Sequence, residues 1–157
     1  MSVSISKKQL IKHLRGGKAF KPLEDFIDDI PFEKIGERPQ NLPYSFYELF
    51  YHIVYAQKDI LEFSISEDYK SSKWPDSFWP EHSAPDNKED WNRLKKQYFE
   101  DREKFENFIL DDENDLDQPV RNSEDHSLMR EILLVIEHSA YHTGQMIVIL
   151  RLLGLYK

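Results

Sequence analysis

Apolar residues recur at helical spacing in four stretches of the chain, and nowhere do they alternate for long with the period of a strand. The first stretch predicts a helix over about 6–30, opened by Ser6 and Gln9 at capping-box spacing, with Leu10, Leu14, Leu23, Phe26, Ile27 and Ile30 as its stripe. Gly16 and Gly17 mark a place where it breaks or kinks, Pro31 closes it, and Pro39 and Pro43 keep the following linker extended. The second helix is predicted from Ser45, with Glu48 three residues on, to about Phe63. The third opens at Asp86 with Glu89 and runs to about Leu110, its apolar residues set among many charges. The fourth runs from Ser127 to Leu153, with Gly154 as its C-terminal cap. Apolar residues wrap nearly its whole circumference, so it is expected to be the most buried of the four. The prediction is an all-α fold in one domain over 1–157.

Between the second and third helices lies a long irregular connection, roughly 64–85, that holds Trp74, Pro75, Phe78, Trp79 and Pro80. Loops of this length are uncommon in compact domains and often carry function. Two readings stand side by side: the aromatics cover one end of the bundle, or they form a lid.

Composition narrows the function classes. With 39% hydrophobic and 13% aromatic residues in 157, the chain has the apolar mass to fold. A formal charge of −8 repels phosphate backbones, which argues against a nucleic-acid partner. The absence of cysteine excludes disulfides and thiolate metal ligation and points to a reducing cytoplasm. The N-terminal stretch has no signal-peptide core, and the apolar run 132–136 is broken by Glu137 and His138 well short of a bilayer span, so neither export by that route nor a membrane span is expected. Asp111, Asp112, Glu113, Asp115 and Asp117 lack the spacing and central glycine of a calcium loop and read as a solvated linker.

The chemistry gathers in the fourth helix, at Glu137-His138-Ser139-Ala140-Tyr141-His142-Thr143-Gly144-Gln145. Residues four apart share a helical face with Cβ atoms about 5–6 Å apart, so two imidazoles can converge on one ion at about 2.0–2.1 Å. The same spacing also serves two buried histidines that bond only to backbone or water. Polar rings in an apolar helix need compensation, however, and a metal with a third ligand supplies it. His52, mid-helix among Phe46, Leu49, Phe50, Ile53 and Val54, is the natural third; His13, His82 and His126 lie in amphipathic or loop surroundings. Ser139 follows His138 where a metalloprotease carries its glutamate, and the paired Glu-x-x-His elements of di-iron bundles are missing. Gln145, Glu48, Glu137 and Tyr141 are candidates to support the ligands or a bound molecule, against packing, helix capping, surface exposure and ring packing.

Over almost its whole length the chain resembles the DinB/YfiT-like superfamily of metalloenzymes. The resemblance is carried by Gly16-Gly17, by Ser45-Phe46-Tyr47-Glu48-Leu49-Phe50-Tyr51-His52-Ile53, by the Trp/Pro-rich loop, and by His138 to Gln145 followed by Arg151-Leu152-Leu153-Gly154. It implies a four-helix bundle of up-down-down-up type with a metal held by His52, His138 and His142, and a homodimer. Relatives in that superfamily include thiol-dependent S-transferases and isomerases and a proposed metal-dependent hydrolase. The implied reading is an enzyme that uses a divalent ion, zinc or nickel ahead of iron, as a Lewis acid on a small-molecule substrate such as a low-molecular-weight thiol. No catalytic side chain is assigned. The alternative is a non-catalytic binding or stress-response protein in which the metal only ties two helices together.

Overall fold

A computed structural model describes residues 4–156, which form four long helices joined by turns and short 3-10 segments. They are α1 (Ile5–Leu14), α2 (Phe46–Ile65), α3 (Lys88–Leu110) and α4 (Leu128–Leu152). No β-strand occurs among the described residues; a single bridge pairs Pro119 with Ser127. The architecture is an all-α bundle. No helix among these residues is long and apolar enough to cross a membrane.

Local chemistry sets the helix starts. Ser45 and Glu48 form the reciprocal capping box at the head of α2, and Arg38 clamps the same carboxylate. Ser127 caps α4 by accepting from the Arg130 amide, and Gly154, at φ +71°, ends it. Two starts differ from expectation by one or two residues: Ser4, not Ser6, caps α1, and Asn87, not Asp86, caps α3 by accepting from the Asp90 amide. The larger correction is to the first helix, which stops at Leu14. Gly16 and Gly17 both take positive φ, +83° and +84°, a region that costs little only for glycine. Beyond them Leu23, Phe26, Ile27 and Ile30 still enter the core, but from a 3-10 turn and irregular chain.

Side-chain pairs along the helices fix their directions. Lys7 donates to the Asp111 carbonyl, Arg102 to the Leu14 carbonyl and Arg15 to Glu106, so α1 and α3 are antiparallel. Phe46 meets Trp91, Phe50 meets Tyr98 and Gln57 meets Arg102, so α2 and α3 run parallel. The N-terminal half of α2 shares a core cluster with Met146, Ile149 and Leu150, while Leu61 near its other end shares one with Ile132 and Val135; α4 is antiparallel to α2. The result is the up-down-down-up order. Two neighbouring parallel helices need a connection that travels back along their full length, about 30 Å for twenty residues. The long loop between α2 and α3 meets that need. Its far end is fastened where the Ser45 hydroxyl donates to the Ser83 carbonyl at 2.5 Å, and where Gly36 lies so close to Ala84 that an added Cβ would come within 2.4 Å of the alanine methyl.

The most buried helix is α2, with eleven of its twenty residues buried, whereas α4 has ten of twenty-five. α4 instead leaves Leu133, Leu134, Tyr141, Val148 and Leu152 exposed. An apolar circumference therefore marks a helix buried on one side and bare on the other.

Candidate metal centre

His52 lies on the face of α2 that packs against α4, and His138 and His142 lie one turn apart on the answering face of α4. His52 is only 2% exposed and His142 9%, while His138 is half-buried. One nitrogen from each ring falls within 4.8 Å of the others, so the three histidines form a group that could hold a metal ion. The ring centroids are 4.6 Å apart for His52–His138 and His52–His142, and 4.5 Å for His138–His142.

The hydrogen bonds around the group decide which nitrogens face inward. His52 Nδ1 donates to the Phe78 carbonyl at 3.2 Å, leaving the Nε2 lone pair to point at His138. His142 Nδ1 lies 2.6 Å from Gln145 Oε1, and Gln145 uses its amide nitrogen to donate to the Tyr44 hydroxyl at 3.1 Å. That second bond makes Oε1 the acceptor and leaves His142 Nε2 free. His138 Nε2 stands 2.9 Å from His52 Nε2. Two imidazole nitrogens bound to one tetrahedral ion at about 2.0–2.1 Å would be separated by roughly 3.3 Å, so a small outward shift brings this pair to ligating distance. The donor set is all nitrogen, with no carboxylate among the three, and suits a borderline divalent transition metal.

Burial keeps the rings neutral. It pushes the His52 imidazole down to about 4 and His138 to about 3, with repulsion from neighbouring His142 adding to each. His142 is also lowered by burial, against an opposing contribution from Gln145. Neutral imidazole is the form that binds metal, so the fold holds all three ready at neutral pH.

The Trp/Pro-rich loop closes one side of the group. Trp79 stacks on His52 at 4.2 Å with the rings 6° from parallel, and the same stretch supplies the Phe78 carbonyl. Trp74, 66% exposed, stands 6.1 Å from the His52 ring, and Tyr141, 67% exposed, stands edge-on to His142 at 5.0 Å. The aromatics thus cover the site and also border it. Of the supporting candidates, Gln145 does orient the His142 ring. Glu48 does not, because both its oxygens serve Arg38 and the Ser45 amide, and Glu137 is exposed. Tyr44 and the Phe78 carbonyl were not legible in the sequence. Neither carries a motif, and both reach the histidines only through tertiary packing.

His13 and His82 are exposed, and His126 lies 3.3 Å from Glu131 away from the three-histidine group. A family model described as the DinB family matches residues 1–157, the whole chain. No curated protein and no solved structure matches it.

Proposed function

The chain belongs to the DinB family, and from that premise we propose that it is a metal-dependent enzyme acting on a small molecule by thiol S-transfer or hydrolysis. His52, His138 and His142 would hold one divalent ion, zinc or nickel ahead of iron. The observation that carries the reading is the donor set: three neutral imidazoles leave a divalent ion its full charge and an open position, the pattern of catalytic sites and not of closed structural ones. When bound, the ion would supply Lewis acidity that lowers the pKa of a thiol or water. The protein's part is to orient the ligands through Phe78 and Gln145, to exclude water on the Trp79 side, and to leave approach open beside half-buried His138. The absence of cysteine supports a cytoplasmic address, where low-molecular-weight thiols are reduced and abundant.

Purified protein, stripped and then loaded with zinc or nickel, is the material for the test. Conjugation of small thiols to electrophiles and hydrolysis of small esters and amides are expected to appear with metal, vanish with chelator and return on reloading. Stoichiometric metal with no turnover in any of these assays would favour the metal-tied binding protein instead.

Self-association through α4 belongs to the same proposal. The bare residues Leu134, Tyr141 and Val148 follow one another at seven-residue spacing, an exposed apolar row of the kind that marks an interaction surface. Gly144, three residues on from Tyr141, lies beside the row with nothing within 4 Å of its Cβ direction, so a second helix can approach closely there. In an antiparallel pair centred on Gly144, Glu137 and Arg151, each seven residues from it, face one another across the two-fold axis. Sedimentation is expected to show a dimer that the double substitution Leu134→Glu, Val148→Glu converts to a monomer. A chain that is monomeric without substitution would remove this part of the proposal.

A further inference from the structure

On the face of α2 that meets α3, away from the histidines, Tyr47, Tyr51 and Tyr55 stand in a row one turn apart. Tyr51 and Tyr55 are stacked at 4.1 Å and 18°, Tyr47 meets Tyr51 edge-on at 6.0 Å, and Trp91 of α3 continues the row at 6.4 Å from Tyr47. Two adjoining hollows open on the row, of about 230 and 210 Å³, and share Tyr47, Tyr51 and Asp90. All three tyrosines are half-buried. Neither the family match nor the metal centre accounts for this groove.

The charges along it are unevenly committed. In the larger hollow Arg93 is paired with Asp90, and Lys58 lies 3.8 Å from Glu62. In the smaller one Glu81 and Asp86 form no ion pair among the described residues, and the other titratable side chains lining it are His82, Asp90 and the two tyrosines. Both acids are close enough to act on the row: Tyr47 and Tyr51 are raised first by burial and next by Tyr55, with Asp86 adding in the one case and Glu81 in the other. The hydroxyls therefore stay protonated and the rings neutral. Neutral aromatic rings lining a hollow beside carboxylates that pair with no described cation attract an organic cation and repel an anion.

We propose that this groove is a second binding site, independent of the metal centre, for a small organic cation of the alkylammonium class. The cationic head sits in the smaller hollow between Tyr47, Tyr51, Glu81 and Asp86, and the apolar portion lies along Tyr51 and Tyr55.

Choline is a suitable probe, with 3,3-dimethyl-1-butanol as its uncharged analogue of the same shape. Titration of the full chain, followed by the aromatic NMR signals, is expected to give saturable shifts of the tyrosine rings with choline. The alcohol should bind about tenfold more weakly, the equivalent of one cation–π contact at a half-buried site. Glu81→Gln with Asp86→Asn, at two exposed positions that leave the fold alone, should weaken choline severalfold, and Tyr51→Ala should abolish the shifts. Zinc-loaded and metal-free protein should behave alike, which separates this site from the histidine group. Equal binding of choline and the alcohol, no effect of the double carboxylate substitution, or no saturable shift would each overturn the proposal.

Discussion

His138→Ala and His142→Ala are each expected to purify with a small fraction of the metal bound by the unsubstituted chain, while His13→Ala and His126→Ala retain it. The reason is geometric: only the first pair converges with His52, and the two controls lie outside the group. Removing one of three protein donors from a site of this type leaves two, too few to hold a divalent ion against water. Gln145→Ala should fall between. It keeps all three donors but frees the His142 ring to rotate and to exchange tautomers, and loss of such an outer hydrogen bond usually costs about 10–100-fold in metal affinity. Elemental analysis after dialysis, followed by competition with a chelator of known affinity, measures both effects. Equal metal in the four histidine variants would mean that the ion sits elsewhere.

The second expectation concerns acid. Each of the three rings has a folded-state pKa below the ordinary histidine value of about 6.5, so the unfolded chain binds more protons than the folded one as the pH drops through that value. The metal-free fold therefore loses stability from about pH 6.5 downward, and gains nothing further above it. Metal affinity follows the folded rings instead. It should begin to fall as His142, lowered by burial but held back by Gln145, takes up its proton, and fall further as His52 and then His138 approach their folded values of about 4 and 3. Metal at a hundredfold excess over its Kd stabilises the fold by about 2.7 kcal/mol, which raises Tm by roughly 5–10 °C in a chain of this size. The gap between the melting curves of loaded and metal-free protein should narrow as the pH falls below the ordinary histidine range and close near pH 4. Convergence already at pH 6.5 would show ligands titrating as free histidines. A gap that never closes would shift attention to the acidic stretch after Leu110.

What was legible in the sequence was what is decided within a turn or two of helix. Ser45 with Glu48, Ser127 and Gly154 act through neighbours three or four residues away, and each sits where its pattern places it. The His138–His142 pair is local in the same sense. The overlong first helix arose because Leu23, Phe26, Ile27 and Ile30 keep a helical period while packing from irregular chain, and periodicity records burial, not backbone shape. Asn87 displaced Asp86 as a cap because two adjacent side chains offer the same acceptor. The bare face of α4 was hidden because hydropathy does not say what covers an apolar side chain. His52 was found by its apolar surroundings, but Tyr44 contacts Gln145 across 101 residues of sequence and gave no signal.

The distance along the chain between His52 and His138, 86 residues, also orders events in time. During synthesis the chain carries a single histidine of the group until α4 emerges, so no intermediate length offers more than one of the three rings. Once α4 coils, His138 and His142 are placed together by local bonding alone. Bringing His52 to them requires closing a long loop, an entropic cost that grows only slowly with its length. A metal that arrived before α2 docks would meet two nitrogens and exchange freely; one that arrived afterwards would meet three. Loading by all three rings would thus be coupled to the docking of α2 on α4, and a bound ion would report that this contact has formed.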